Sequence, residues 1–208
     1  MSFNLLSENS KMPGHSWNLP RVLSCPGMVT GPGTICGDCY GGVGRFRIHR
    51  VQRTLLERWR WCNRVSHADF VAVLANTIND LYFRVGGVGD LHSAEMIGRW
   101  RDVCVRLRET HFWFATKSWR VPSLLPELQE LATLPNATVR PSAVHFEEAP
   151  PVVPGLHAGL GASSLYTCPA PEQGHRCQDC RSCWLDKDVP RIFKAERHRA
   201  LWAPEEAA

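Results

Sequence analysis

The sequence predicts an α/β fold built on a mostly parallel sheet. Short apolar segments alternate with helical segments of roughly 10–15 residues, which is typical of βαβ units. Right-handed crossovers bring the strand-to-helix loops to one end of such a sheet, where ligands bind in open and barrel folds alike. The length of 208 residues fits one sizeable domain.

Two helices and a strand come first. Residues 46–65 have helical spacing, and residues 67–81 follow as a second helical segment. The stretch YFRVGG (82–87) predicts a buried strand that ends in glycines and leads into the loop VGDLHS. A helix then begins at His92 or Ser93 and carries an apolar stripe of Met96, Ile97, Trp100, Val103, Cys104 and Leu107.

The alternation then repeats. HFWFA (111–115) predicts a strand, SLLPELQELATL (123–134) a helix and NATVRPSAV (136–144) a further strand. SSLYT (163–167) predicts a short strand leading to Cys168, and a last helix is predicted from about Ile192 to Leu201. One composite site is therefore expected at one end of the sheet, built from the loops CGDCYGG, GGVGDLHS, ATKSW, RPSA and TCPAP.

Composition narrows the class of protein. The chain is 44% hydrophobic and 21% charged, which is ordinary for a globular protein. No apolar run is long enough to cross a bilayer, and the first residues, MSFNLLSENSKMPG, lack a signal-peptide pattern. We therefore expect a cytoplasmic protein with no membrane partner. The net charge of +4 permits contact with nucleic acid without arguing for it.

Seven of the nine cysteines fall into two groups, one near each end of the chain. Clustered thiols in a cytoplasmic chain favour metal binding or catalysis over disulfides. The other two, Cys62 and Cys104, lie on the apolar faces of predicted helices, so we expect them to pack in the core.

The C-terminal group consists of four cysteines within sixteen residues: Cys168, Cys177, Cys180 and Cys183. Four thiolates can complete the shell of a zinc ion or bind a four-iron cluster. Because three of them run in succession at C-x2-C-x2-C spacing, as in bacterial ferredoxins, an iron–sulfur cluster is the favoured interpretation. Zinc and redox thiols are the alternatives.

The N-terminal group consists of Cys25, Cys36 and Cys39. Three thiolates leave one position open, as a catalytic or ligand-binding metal requires. A structural zinc completed by His15 or Asp38 is one alternative. A Cys36–Cys39 redox pair is another, although the strand expected before such a motif is missing.

Several polar residues follow predicted strands. Asp90 and Lys117 could orient a ligand at the shared end of the sheet, and Arg140 and Ser142 carry the same argument with less weight. In the alternative, Asp90 satisfies loop amides while Ser93 caps a helix, and Lys117 is a surface lysine.

The most basic stretch holds six arginines interleaved with aromatic residues: Arg45, Arg47, Arg50, Arg53, Arg58 and Arg60. Such a helix could contact nucleic-acid phosphates. A solvated amphipathic helix is the favoured interpretation, because Glu57 and the low net charge weaken the case for nucleic acid.

Several motifs occur in a fixed order along the chain: NSKMPGHSWNLP, CPG, C-x2-CY, VGDLHSAEMIGRWRDVC, FWFATKS and CP…C-x2-C-x2-CW. Together, over residues 9–184, they resemble the gene product 88 family of bacteriophages. The resemblance implies an iron–sulfur protein of phage origin, in the cytoplasm of the infected host cell, that is distantly similar to radical S-adenosylmethionine (SAM) enzymes.

The resemblance also implies a fold and a site. The fold is a partial (β/α) barrel, radical-SAM-like, whose core (residues 1–160) carries the three-cysteine set. Residues 161–208 add a strand, the four-cysteine segment and a helix. Cys25, Cys36 and Cys39 would hold a cubane whose open iron binds SAM, with a cofactor-binding set of Gly86, Gly87, Gly89 and Asp90. Ten residues separate Cys25 from Cys36, where three are usual, so another small molecule is an alternative to SAM.

The predicted function is that of an iron–sulfur enzyme. An open-site [4Fe–4S] cluster on the three-cysteine set would activate a small molecule or SAM, with Asp90 and Lys117 as the catalytic residues. The four-cysteine set would hold a second cluster, unless one cluster is shared. Partners would be a small-molecule substrate and an electron donor. The alternative is a zinc-stabilised, non-catalytic module that binds nucleic acid or protein.

Overall fold

A four-stranded parallel sheet forms the centre of the computed structural model, which describes residues 3–195. The strands lie in chain order: β1 (Ser16–Trp17), β2 (Tyr82–Val85), β3 (His111–Thr116) and β4 (Ala137–Pro141). A second, two-stranded parallel sheet pairs β5 (Leu160–Ser163) with β6 (Arg191–Lys194). A parallel bridge from Ser142 to Leu160 joins the two sheets. The predicted α/β class with parallel strands is confirmed.

Five α-helices accompany these strands among the described residues: α1 (His49–Cys62), α2 (His67–Thr77), α3 (Ala94–Arg106), α4 (Leu125–Ala132) and the short α5 (Ser182–Leu185). Serines cap two of them, since Ser66 Oγ accepts from Asp69 N and Ser93 Oγ accepts from Met96 N, each at 3.1 Å. The cap at Ser93 agrees with the alternative in which this serine begins the helix. None of the described helices is both long and apolar enough to cross a bilayer.

The main core lies on the helical side of the sheet. Because side chains alternate along a strand, Phe83 and Val85 of β2 face the helices, while Tyr82 and Arg84 face the other side. Cys62 and Cys104 are buried in the main core, as predicted.

The C-terminal segment covers the opposite side of the sheet. Trp184 of α5 is buried there against Trp113 and Leu160. Its indole Nε1 donates to the Phe83 carbonyl at 3.0 Å, and its own carbonyl accepts from Thr138 Oγ1 at 2.6 Å. These bonds fix the segment to β2 and β4.

Two predicted elements near the C-terminus are wrong. Residues 191–194 form strand β6 and not the start of a helix, because β5 is available as a parallel partner. Residues 196–201 of that predicted helix lie outside the described residues. The predicted strand SSLYT (163–167) contributes only its first residue to β5, which ends where Ser164 N turns to donate to Glu147.

Arg58 is an exception among the arginines of α1. It was expected on the exposed basic face, but it is only 2% exposed. Its guanidinium donates to Ser7 Oγ and to the carbonyls of Asn4, Leu6 and Asn18, at 2.7–3.4 Å. Arg58 therefore fastens the N-terminal segment to α1 and does not face solvent.

His157 gives the fold an acid-sensitive contact. Its Nδ1 accepts from Val139 N of β4 at 3.0 Å. Burial, reinforced by the charge of Lys187, lowers the pKa of His157 from 6.5 to about 4. Between those values the unfolded chain binds a proton that the folded chain does not, so stability falls as the pH drops through that window.

As the pH falls from 7 to 4.5, His157 should lower the free energy of unfolding by about 2–3 kcal/mol. This follows from about 1.36 kcal/mol per pKa unit. Urea denaturation of the wild type and of His157→Asn, which keeps a side-chain acceptor, would measure the difference. Equal pH dependence in the two proteins would contradict the assignment.

Candidate functional site

The N-terminal cysteine loop crosses the carboxyl ends of three strands. Beyond β4, Ile35 N donates to the Val144 carbonyl at 2.9 Å. Beyond β3, Gly27 packs so closely on the Lys117 carbonyl that a Cβ there would overlap it. Beyond β2, the Tyr40 hydroxyl donates to the Gly87 carbonyl. These loops meet at the predicted end of the sheet.

The three N-terminal thiols are neighbours in this loop. Cys25, Cys36 and Cys39 are partly buried, and none is in a disulfide. Burial raises the pKa of Cys25 to about 12, helped by the negative charges of Asp90, Cys39 and Cys36. Burial also raises the pKa of Cys39. Binding of a metal here would therefore release protons.

Asp90 ties the end of β2 to the end of β3. Its Oδ1 accepts from Leu91 N at 2.7 Å and from Thr116 Oγ1 at 2.6 Å, while Oδ2 accepts from Lys117 N at 2.7 Å. Asp90 therefore does satisfy loop amides, and its role in orienting a ligand stays a prediction. Burial raises its pKa, and the three hydrogen bonds oppose that rise. A carboxylate has about four acceptor positions, and these bonds use three of them.

Lys117 supplies positive charge to the same site. Burial raises the pKa of both Asp90 and Cys39, and the charge of Lys117 opposes part of that rise at each. Arg21 also acts on Cys39. The thiols thus lie beside one carboxylate and two cations, an arrangement suited to a ligand with an anionic group.

The glycines predicted to hold a cofactor instead contact the N-terminal segment of the chain. Gly89 has φ +78°, and a Cβ there would lie 2.5 Å from Ser24 Oγ and 2.7 Å from Leu19 Cβ. Gly86 shares this φ, and a Cβ at Gly87 would overlap the Asn18 amide oxygen. Close packing explains Gly87 and Gly89, and the positive φ explains Gly86. Cofactor contact by the three glycines stays a prediction.

The four C-terminal cysteines lie together on the side of the sheet opposite the helices. Cys177 N donates to the Lys11 carbonyl at 2.8 Å, Cys168 N donates to the Ile192 carbonyl at 3.0 Å, and Cys183 packs against Trp184. Electrostatic interactions link Cys168 with Cys177, Cys180 and Cys183. The TCPAP loop was expected among the strand-end loops, but its cysteine belongs to this separate group.

Arg140 was considered a ligand-facing residue, and the structure corrects this. It is fully buried, and it donates to the five carbonyls of Ala158, Ser182, Cys183, Asp186 and Val189. Burial lowers its pKa. Arg140 of β4 thus fixes the four-cysteine segment to the sheet. The Ser142 carbonyl accepts from Trp119 Nε1 at 3.2 Å, so its backbone also braces the fold.

Arg84, which was not among the predicted site residues, lies between the two cysteine groups. Its guanidinium stacks over Trp113, 4.4 Å from the ring centroid, and its Nη2 lies 3.5 Å from the Tyr40 hydroxyl. Its charge also acts on Cys177 and Cys183. An arginine between the buried Phe83 and Val85 was the available signal, because alternation places it on the second side of the sheet.

Within residues 3–195, no three His, Cys, Asp or Glu side chains are arranged so that they could hold a metal ion. Of the alternative fourth ligands, His15 is paired with Asp80 through Nδ1 and Oδ2 at 3.0 Å. The assignment of Cys25, Cys36, Cys39, Cys168, Cys177, Cys180 and Cys183 as metal ligands stays a prediction.

The fold and site define a class of protein: an α/β domain with a thiol-rich loop over its strand ends and a second thiol group behind the sheet. A model of the family described as gene product 88 matches residues 3–186. The chain belongs to the gene product 88 family, which confirms the family resemblance and fits a bacteriophage association. The match does not extend to iron–sulfur chemistry or to radical SAM enzymes. No curated protein and no solved structure matches the chain.

Proposed function

We propose that this protein is an iron–sulfur enzyme that binds and activates a small molecule at its N-terminal cysteine loop. One observation carries the proposal: Cys25, Cys36 and Cys39 interact electrostatically with one another in the loop over the carboxyl ends of parallel strands, beside Asp90 and Lys117. That is where α/β proteins bind their ligands. The four C-terminal cysteines would hold a second cluster.

The chemistry of the donors supports this assignment. Three free thiols leave one coordination position open, and four free thiols fill a shell. Because no three donors among the described residues are arranged to hold an ion, we expect metal binding to rotate the thiol side chains. An open-site cluster, when bound, would supply Lewis-acid or one-electron chemistry.

The residues of the chain would orient the ligand. Lys117 would attract an anionic group such as a carboxylate, and the remaining acceptor position of Asp90 would take a cationic amine. SAM carries both groups, which supports it as one candidate ligand. Since the cysteine loop and the Asp90 hydrogen bonds join three strand ends, the geometry between ligand and thiols would be set by the sheet.

We also propose that the sheet is the open part of a (β/α) barrel. The strands β1 to β4 are parallel and in chain order, and the bridge from Ser142 to Leu160 continues that order to β5. Parallel strands in consecutive order are the arrangement of such barrels. The side that would line the barrel is filled by Trp113, Trp184 and the four-cysteine segment.

Metal content tests the proposed function directly. Protein purified without oxygen should contain iron and acid-labile sulfide at four to eight of each per chain, for one or two [4Fe–4S] clusters. Cys36→Ala and Cys180→Ala should each lose about half of the iron if there are two clusters. The matched control is Cys62→Ala, because this thiol lies in the core and should leave the iron content unchanged.

The outcomes separate the alternatives. Loss of all iron in both Cys36→Ala and Cys180→Ala would indicate one shared cluster. Electron paramagnetic resonance spectra of the reduced protein that do not respond to SAM would exclude SAM and leave another small molecule. Stoichiometric zinc with no sulfide would overturn the proposal and favour the zinc-stabilised binding module.

A further inference from the structure

The positive charge of the chain is concentrated in residues 41–66. This segment holds seven arginines and one acidic residue, Glu57. The rest of the chain has seventeen basic and nineteen acidic residues. The net positive charge therefore arises from this one segment, which directly follows the N-terminal cysteine loop.

The structure turns these arginines outward, with one exception. Arg58 is drawn into the protein, and the other six are exposed: Arg45, Arg47, Arg50, Arg53, Arg60 and Arg64. Arg50, Arg53 and Arg60 are spaced to share one side of α1, over about 15 Å at 1.5 Å per residue. Within residues 3–195, one ion pair involves these six arginines, between Arg53 and Glu57 at 4.0 Å.

The six exposed arginines of residues 45–64 are called the arginine face. Aromatic side chains lie at its start. Tyr40 is 41% exposed, and Phe46 packs against it with ring centroids 5.8 Å apart. Exposed rings beside a basic groove or stripe are the platforms on which proteins stack unpaired bases. Ile48, between Arg47 and Arg50, is the exposed large apolar residue of the face.

The contacts around α1 indicate which kind of negatively charged partner could bind the arginine face: a membrane, a protein or a nucleic acid. A membrane would need the apolar side of the helix, but Leu55 and Cys62 are buried, and Trp59 and Trp61 pack against the core. A protein interface needs an apolar centre, and Ile48 alone does not supply one. Residues 41–66 contain arginine but no lysine, and a guanidinium can contact a phosphate through two hydrogen bonds at once.

We propose that the arginine face of residues 45–64, together with Tyr40, binds single-stranded nucleic acid. The arginines contact successive phosphates, and Tyr40 stacks on a base at the end nearest the cysteine loop. Binding at this surface does not require a metal at the thiols, so it is tested independently of the proposed iron–sulfur chemistry.

Fluorescence anisotropy with a labelled 20-nucleotide DNA strand, and with the RNA of the same sequence, tests this surface. If four or five phosphates are contacted, affinity should fall roughly fiftyfold to hundredfold between 50 and 200 mM salt, at about −0.7 in log–log slope per contact. The double variant Arg50→Ala/Arg60→Ala should reduce the magnitude of that slope by about 1.4. Tyr40→Leu should weaken binding by about fivefold or more.

The matched control is Arg106→Ala, an exposed arginine in the last turn of α3. It should bind as the wild type does. The proposal is overturned if wild-type binding does not depend on salt, or if the double variant binds as Arg106→Ala does. It is also overturned if polyglutamate or phosphatidylserine vesicles compete as well as the unlabelled strand.

Discussion

Replacing Arg140 with methionine should lower the free energy of unfolding by about 3–5 kcal/mol, the largest effect we expect from one substitution. The guanidinium donates to five carbonyls, four of which lie in residues 182–189. Methionine fills similar space but donates no hydrogen bond. Buried carbonyls without partners are costly, so the segment would loosen from the sheet.

Two measurements would check this. Urea denaturation gives the loss of stability, and the rate at which a disulfide reagent labels Cys183 in the native protein reports loosening of the segment. Arg106→Met is the control, because this arginine is exposed and should lose less than about 0.5 kcal/mol. A similar small loss for Arg140→Met, with unchanged labelling, would show that the carbonyls find other donors.

Gly27→Ala should displace the N-terminal cysteine loop from the sheet. A Cβ at this position would overlap the Lys117 carbonyl, a backbone group that cannot rotate away. We expect a loss of about 2–3 kcal/mol from overpacking. Because Cys25 lies two residues away, we also expect the variant to lose the iron that depends on Cys36 and to keep the iron that depends on Cys180.

Gly98→Ala provides the control for this substitution. Gly98 lies within α3 and has no atom within 4 Å of an added Cβ, so alanine should stabilise the protein by about 0.5–1 kcal/mol. Thermal unfolding and iron analysis of the two variants would be compared. A Gly27→Ala protein with the wild-type melting temperature and full iron content would contradict the close approach of Gly27 to the Lys117 carbonyl.

Much of the fold follows from local signals. Strands β2, β3 and β4 are short apolar runs that must be buried, and α3 begins at a capping serine and carries a continuous apolar stripe. Parallel topology then brings Asp90 and Lys117 to one end of the sheet, where the structure joins them by a hydrogen bond. Hydrophobic periodicity and parallel topology are enough to predict these strands, α3 and the proximity of Asp90 to Lys117.

The roles of two arginines could not be predicted in this way. Arg58 and Arg140 are charged, so composition alone predicts that they are exposed. Their partners include carbonyls 54 and 49 residues away in the chain. No local pattern shows that a distant segment will bring carbonyls to a buried guanidinium. The position of the four-cysteine segment depends on such contacts and was missed for the same reason.

The close packing of Gly27 on Lys117 has a consequence for biosynthesis. Arg120, whose Nη1 donates to the Gly27 carbonyl, is made 93 residues after Gly27. At about 5–20 residues per second, translation needs roughly 5–20 s to supply that anchor. Until that anchor is made, the first three thiols lack the strand ends that later cover them. The nascent chain is therefore most open to oxidants, or to a delivered metal, before its sheet is complete.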